Sequence, residues 1–393
     1  MGLLPTALAL IDTAAHNTSW DDLWVSEADD DLLTLHHDNN NNDLIHDCLN
    51  FSLTQATQPH IYQVKYVAYG IMLPVLVCVG VLGDVLNLVV LTRPNMTGVA
   101  YIYMRGYAAA SLFALLCAIP FTQRVLMVES GRWSHYYIAA FHAHIVLYFG
   151  NSCIGIGVLM LLALTVERFI SVCYPAEARN LCGETRAHLT VCVIPVTTFL
   201  LNSPYLFLAH VVSCRSDTGV LVHMKEVNKW LVDSLWFQGY KWVLEVSFKL
   251  IPAIILFYLN IRIIRTYKAV CEKRRKMTSK VSGEQRRQFA EESRLMFLLG
   301  GTSTLFFVCM TPMIVLSVTI HHAWRNSLAF EVFRAVANVL EVTNFAVTFY
   351  IYCLFSKDFR ETFLRTLRSA KENSMGASFL GSVSGLKEAI RPP

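Results

Sequence analysis
Two opposite charges sit side by side where a long apolar run ends. The stretch Leu161-Leu-Ala-Leu-Thr-Val-Glu-Arg-Phe-Ile-Ser-Val-Cys-Tyr-Pro175 carries Glu167 and Arg168, then an aromatic, Phe169, and a helix-stopping Pro175. Ionisable groups at the edge of hydrocarbon are costly and usually face a protein interior. Neighbouring opposite charges lock one another, and a third party can release that lock; the plainer alternative is an arginine snorkelling to the headgroups beside a surface acid. A second constellation is Lys241, Glu245 and Lys249, whose spacing of four places them on one face of a helix. Charges within an apolar segment should point inward, toward a partner or a wet cavity. Glu341 lies in another such segment, with Glu331 and Arg334 nearer the mouth and His142, His144, His321 and His322 close by. Glu245 or Glu341 can pair with a basic ligand group, or Glu245 and Lys249 can simply pair with each other; the histidines read as structural. The chain has no Walker loop, no paired ligands at zinc spacing and no nucleophile elbow. No enzyme, cofactor, metal or nucleic-acid partner is expected.

The elements that must hold these charges are apolar. Of 393 residues, 54% are hydrophobic and 16% charged, with a mean hydropathy of +0.43. An ordinary soluble chain is about a quarter charged, so this is a polytopic membrane protein. A spanning helix needs about 20 mostly apolar residues, and seven such segments recur at roughly 66–91, 101–121, 137–172, 188–208, 238–266, 295–320 and 331–354. Between segments five and six, basic residues from Arg262 to Arg287 outnumber the acids, which makes that loop cytoplasmic. With an odd number of spans, the N-terminus is then outside and the C-terminus inside.

Residues 1–63 read as an extracellular tail. No Lys or Arg precedes Lys65, acids crowd from Asp21 to Asp47, and two glycosylation sequons begin at Asn17 and Asn50. That composition predicts disorder. The sequon at Asn95 falls in the first cytoplasmic loop and should stay unmodified. Met1-Gly2 with Thr6 fits a myristoylation pattern that needs a cytosolic end, and Leu3 to Ile11 resembles a signal core without its basic flank; both are set aside. The bundle covers 64–354. Residues 355–370 alternate apolar and basic residues at helical spacing, as in a helix lying along the inner membrane face, and 371–393 form a cytoplasmic tail. No Cys follows Cys353, which excludes a palmitoyl anchor beyond that helix.

Seven helices, the Glu167-Arg168-Phe169 triplet and the amphipathic stretch after the seventh helix resemble the rhodopsin-like G-protein-coupled receptors over residues 64–370. Gly83, Pro204, Pro252, Phe306-Phe-Val-Cys-Met-Thr-Pro312 and Tyr352 match in order. Pro252-Ala-Ile-Ile-Leu-Phe-Tyr-Leu-Asn260, Phe349-Tyr-Ile-Tyr352 and Leu354-Phe-Ser-Lys-Asp-Phe-Arg360 resemble the peptide-receptor branch around the invertebrate FMRFamide receptors. The resemblance implies an all-α, seven-transmembrane bundle with a short eighth helix, placed in the plasma membrane. It implies an extracellular amidated neuropeptide as ligand and a heterotrimeric G protein as partner, with membrane lipids and arrestin as further contacts. It also implies a switch in which Arg168 is held by Glu167 at rest and meets the G protein as helix six swings out. Pro312 supplies the bend, and Phe169, Pro175, Asn260 and Tyr352 complete the coupling set.

Departures from the family are equally specific. The second-helix position that usually holds a sodium-binding Asp is Ser111, while the first-helix position that is usually Asn is Asp84. Asp84, Asn87, Ser111, Asn344 and Thr348 are therefore expected to form a rearranged polar cluster, either hydrating a cation or holding a protonated or water-bridged Asp with structural duties only. Met310 replaces the usual Trp of helix six, Thr348-Phe349 the usual Asn-Pro of helix seven, and Ile194 the usual Trp of helix four. Ala143 stands where the family's third-helix disulfide Cys belongs, so Cys214 lacks its customary partner. Either Cys48 bridges to it or both thiols stay free. Gly150 stands at the amine-binding Asp position and Val342 at the retinal Lys position, which argues against aminergic and photoreceptor readings. Ligand-binding candidates are Lys241, Glu245, Lys249, Glu341, Gly150, Asn151 and Met310. A seven-helix transporter or ion-conducting protein using Asp84, Glu245, Lys249 and Glu341 is the alternative from another class, and a receptor fold that no longer signals is a third.

Overall fold
The computed structural model describes residues 59–126, 135–215, 221–277, 300–316 and 328–368. Seven apolar helices follow one another: α1 (Gln63–Leu91), α2 (Val99–Leu126), α3 (Tyr136–Cys173), α4 (Glu184–Asn202), α5 (Leu235–Val270), α6 (Gly300–Leu316) and α7, made of Leu328–Ala346 and Thr348–Phe355 bent by 50° at Val347. They fall on the seven segments expected from hydropathy. Residues 357–368 form a further helix, α8, whose start is capped by Ser356 accepting from the Phe359 amide at 3.2 Å.

The bundle is apolar on both sides. α1 shows Val75, Leu82 and Val85 outward, and α4 shows Leu189, Val196 and Leu200. Such surface suits hydrocarbon and not water. Inside lie Tyr69, Leu73, Leu115, Met160, Leu161, Phe306, Phe345 and Phe359. α3 is the central strut, packing on α2, α4 and α5. Close approach is fixed by small residues: a Cβ on Gly80 would lie 2.7 Å from the Ala346 Cα, so α1 and α7 touch backbone to side chain there.

Pro175 both ends α3 and opens the short helix Pro175–Leu181, where its missing N–H is not needed. The connection between α4 and α5 holds an antiparallel hairpin, β1 (Ala209–Arg215) and β2 (Leu221–Val227), with Cys214 opposite Val222. It covers one mouth of the bundle at the start of α3, held by Ser213 and the His223 ring at 2.8 Å and by Tyr136 edge-on to that ring at 5.7 Å.

Candidate functional site
At the far end of α3 from the hairpin, Arg168 Nε lies 3.1 Å from Glu167 Oε2. Ser171, one turn on, donates to Glu167 Oε1 at 3.0 Å, so the acid is gripped from both sides and largely buried. Phe169 stacks edge-on against Tyr174 at 5.7 Å, and Cys173 Sγ reaches Thr266 Oγ1 of α5 at 3.4 Å. Asn260 spends its amide on its own helix, donating to Leu256 O at 2.7 Å. Tyr352 is buried against Phe359 of α8. Pro312 sits partly exposed two residues beyond the buried Met310.

Midway through the bundle the polar cluster assembles from three helices. Ser111 donates to Asp84 Oδ2, Asn87 donates to Asp84 Oδ1 at 3.3 Å, and Ser111 also lies 3.4 Å from the Phe345 carbonyl. Thr348 donates to the Asn344 carbonyl at 3.3 Å. The bend in α7 falls between these two contacts, where no proline occurs; polar side chains on the carbonyl ladder are a recognised cause of such a break. Tyr107 of α2 stands beside Thr348, Asn344 and Asp84 and stacks on Phe345 at 6.3 Å. Asn87 Oδ1 and Asn344 Nδ2 are buried without a hydrogen-bond partner among the described residues, and unpaired buried groups of this kind are costly.

Toward the hairpin end, Lys249 Nζ lies 3.1 Å from Glu245 Oε2 and 3.8 Å from Glu341 Oε1. A wide π-type turn, Val246–Leu250, precedes Pro252 and carries Lys249. Lys241 is buried one turn before Glu245, with its ammonium 5.2 Å above the Phe237 ring. Arg334 and Glu331 pair at 2.9 Å within α7, and His144 contacts the Leu206 carbonyl at 2.7 Å. A separate cavity of about 30 Å³ lies between α2, α3 and β2, and Gly150, Asn151, Cys117, His142 and Lys225 are among its lining. It brings in Gly150 and Asn151 but none of the α5 and α7 charges. Asn17, Asn50, Cys48, His321 and His322 lie outside the described residues.

Two polar contacts have no counterpart among the sequence expectations. Tyr107 joins the central cluster, and Asn338 donates to the Tyr69 hydroxyl at 2.7 Å between α7 and α1. Each tyrosine lies in an apolar segment, where it reads as core.

A bundle of seven apolar helices, with an ion pair closing the third and buried charges between the fifth and seventh, has the build of a membrane receptor. A model of the rhodopsin family of seven-transmembrane receptors matches residues 85–355, and the chain belongs to that family. It is 29% identical over 321 residues to a probable G-protein coupled receptor of Caenorhabditis elegans, covering 80% of this chain and 73% of that protein. It is 27% identical over 326 residues to a second such receptor of that organism, covering 78% and 77%. It is 22% identical over 307 residues to the FMRFamide receptor of Drosophila melanogaster, covering 77% and 54%. The protein is thus a non-enzymatic receptor and a multi-pass protein of the plasma membrane.

Proposed function
We propose that the protein is a receptor for an amidated neuropeptide that activates a heterotrimeric G protein. The N-terminal tail and hairpin face outward; the Arg168 end, the basic segment after α5 and the C-terminal tail face the cytoplasm. The observation that carries this reading is the Glu167–Arg168 pair, held by Ser171 where α3 ends. An arginine gripped by one acid has donors to offer once that acid lets go, and outward movement of α6 about Pro312 opens the space beside it. Phe169, Pro175, Asn260 and Tyr352 position that end of the bundle. α8 lies on the inner leaflet, with Leu364 and Leu367 toward lipid and Arg360, Arg365 and Arg368 toward headgroups. Arrestin binds the same opened face.

The ligand enters between the hairpin and the outer ends of α3, α5 and α7. Glu245 and Glu341 supply the anionic partner for a basic ligand group beside Lys249, while Lys241, Gly150, Asn151 and Met310 serve other parts of the same ligand. Kinship with the FMRFamide receptor of Drosophila melanogaster and the FMRFamide peptide receptor frpr-18 of Caenorhabditis elegans favours an amidated peptide. The test is G-protein activation in cells challenged with a panel of amidated neuropeptides, with Arg168→Ala at matched surface expression. A wild-type response that the variant loses is expected. Silence from both at good surface expression argues for a different ligand class or a receptor that no longer signals.

A further inference from the structure
Glu245, Lys249 and Glu341 bring two carboxylates and one ammonium together. One ammonium lies 3.1 Å from one carboxylate and 3.8 Å from another on a different helix, so the three groups carry a formal charge of −1. Glu341 keeps 2% of its side-chain surface exposed. Among the described residues neither of its oxygens receives a hydrogen bond, whereas the Lys249 ammonium is within hydrogen-bond distance of Glu245 alone. Buried carboxylates are normally paired and also hydrogen-bonded, because desolvation otherwise outweighs the attraction. Among the described residues, Lys241 stands over Phe237 and Arg334 pairs with Glu331.

We infer that the Glu245–Glu341 pair recognises one positively charged, N–H-bearing group of the ligand, and that Lys249 is a tethered occupant holding the two carboxylates in its absence. This rests on the outer bundle being the ligand site. A guanidinium is the closest chemical match. Its planar fork of five N–H donors can face two carboxylates at once, whereas an ammonium is a compact point charge with three. Lys249 also sets how much charge the site takes: one further positive charge brings it to neutrality, and a second is repelled. Selectivity by built-in repulsion of that kind discriminates among ligands that share a shape.

Lys249→Ala leaves a lysine-shaped space beside both carboxylates, which small organic cations can fill. The experiment measures thermal unfolding of the purified receptor with n-propylguanidinium or uncharged n-propylurea at matched ionic strength. Propylguanidinium is expected to raise the Lys249→Ala midpoint saturably while propylurea does not, and adding Glu341→Gln is expected to weaken that apparent affinity by about tenfold. Equal action of cation and urea, or a shift unchanged by Glu341→Gln, overturns the inference. If Lys249→Ala does not fold, wild type against Glu341→Gln carries the same comparison, since the native site still accepts one charge. For any peptide that activates the wild type, exchanging its Arg for citrulline is expected to cost about tenfold in potency on the wild type and about twofold or less on Glu341→Gln. Should no peptide activate the receptor, the ligand reading fails in that arm while the thermal-shift comparison still decides the role of the carboxylates.

Discussion

A serine hydroxyl carries one proton, and Ser111 faces two acceptors: the carboxylate of Asp84 on α1 and the carbonyl of Phe345 on α7. It serves one at a time, so the state of Asp84 decides whether the carbonyl beside the α7 bend is paired. Asp84→Asn is therefore expected to change signalling at unchanged surface expression. A double-mutant cycle with Ser111→Ala, followed by thermal unfolding, should return a coupling of about 0.5–3 kcal/mol; additivity, with normal signalling, removes any shared role. Asp84, Asn87 and Ser111 were legible because polar residues stand out in apolar segments. Tyr107 and Tyr69 were not, since a tyrosine among leucines looks like core and the partner of Tyr69 lies 269 positions away. Lys249 with Glu245 was legible from its spacing of four, while the reach of Lys249 to Glu341 depends on how α5 and α7 are set side by side, which no local pattern encodes.

At the scale of elements, hydropathy located all seven helices because about 20 apolar residues in a row have few uses other than crossing a bilayer. The β1–β2 hairpin was missed although its signal was present: Val211-Val and Leu221-Val flank Asp217-Thr-Gly219, a turn-forming run. The fourth apolar segment, 188–208, stops just before β1, and the short run between segments four and five received no strand reading. The contact between α1 and α7 at Gly80 gives the sharpest test of packing. Gly80→Val places methyl groups where the Ala346 backbone already sits, and is expected to cost about 3 kcal/mol, read as a lowered unfolding midpoint in detergent. Gly239→Ala, where a Cβ meets nothing within 4 Å, should leave the midpoint nearly unchanged and serves as the control.

For the whole molecule, orientation is the property from which every functional assignment follows. Glycosidase treatment of intact cells should shift the apparent mass of the receptor, and Asn17→Gln with Asn50→Gln should abolish the shift; an unshifted wild type at the cell surface argues against an outward tail. Alkylation without reduction, followed by mass spectrometry, decides Cys214: a bridge to Cys48 leaves both unlabelled, and two labelled thiols remove it. The bend in α7 bears on how such a bundle changes state. A proline break is written into the covalent chain and travels with its helix through every conformation. The break at Val347 lies instead beside side-chain hydroxyls, with Thr348 on the Asn344 carbonyl and Ser111 of α2 within reach of the Phe345 carbonyl, so a small sliding of α2 along α7 changes what stands next to it. The joint then becomes a detent, engaged or released by where the neighbouring helix stands.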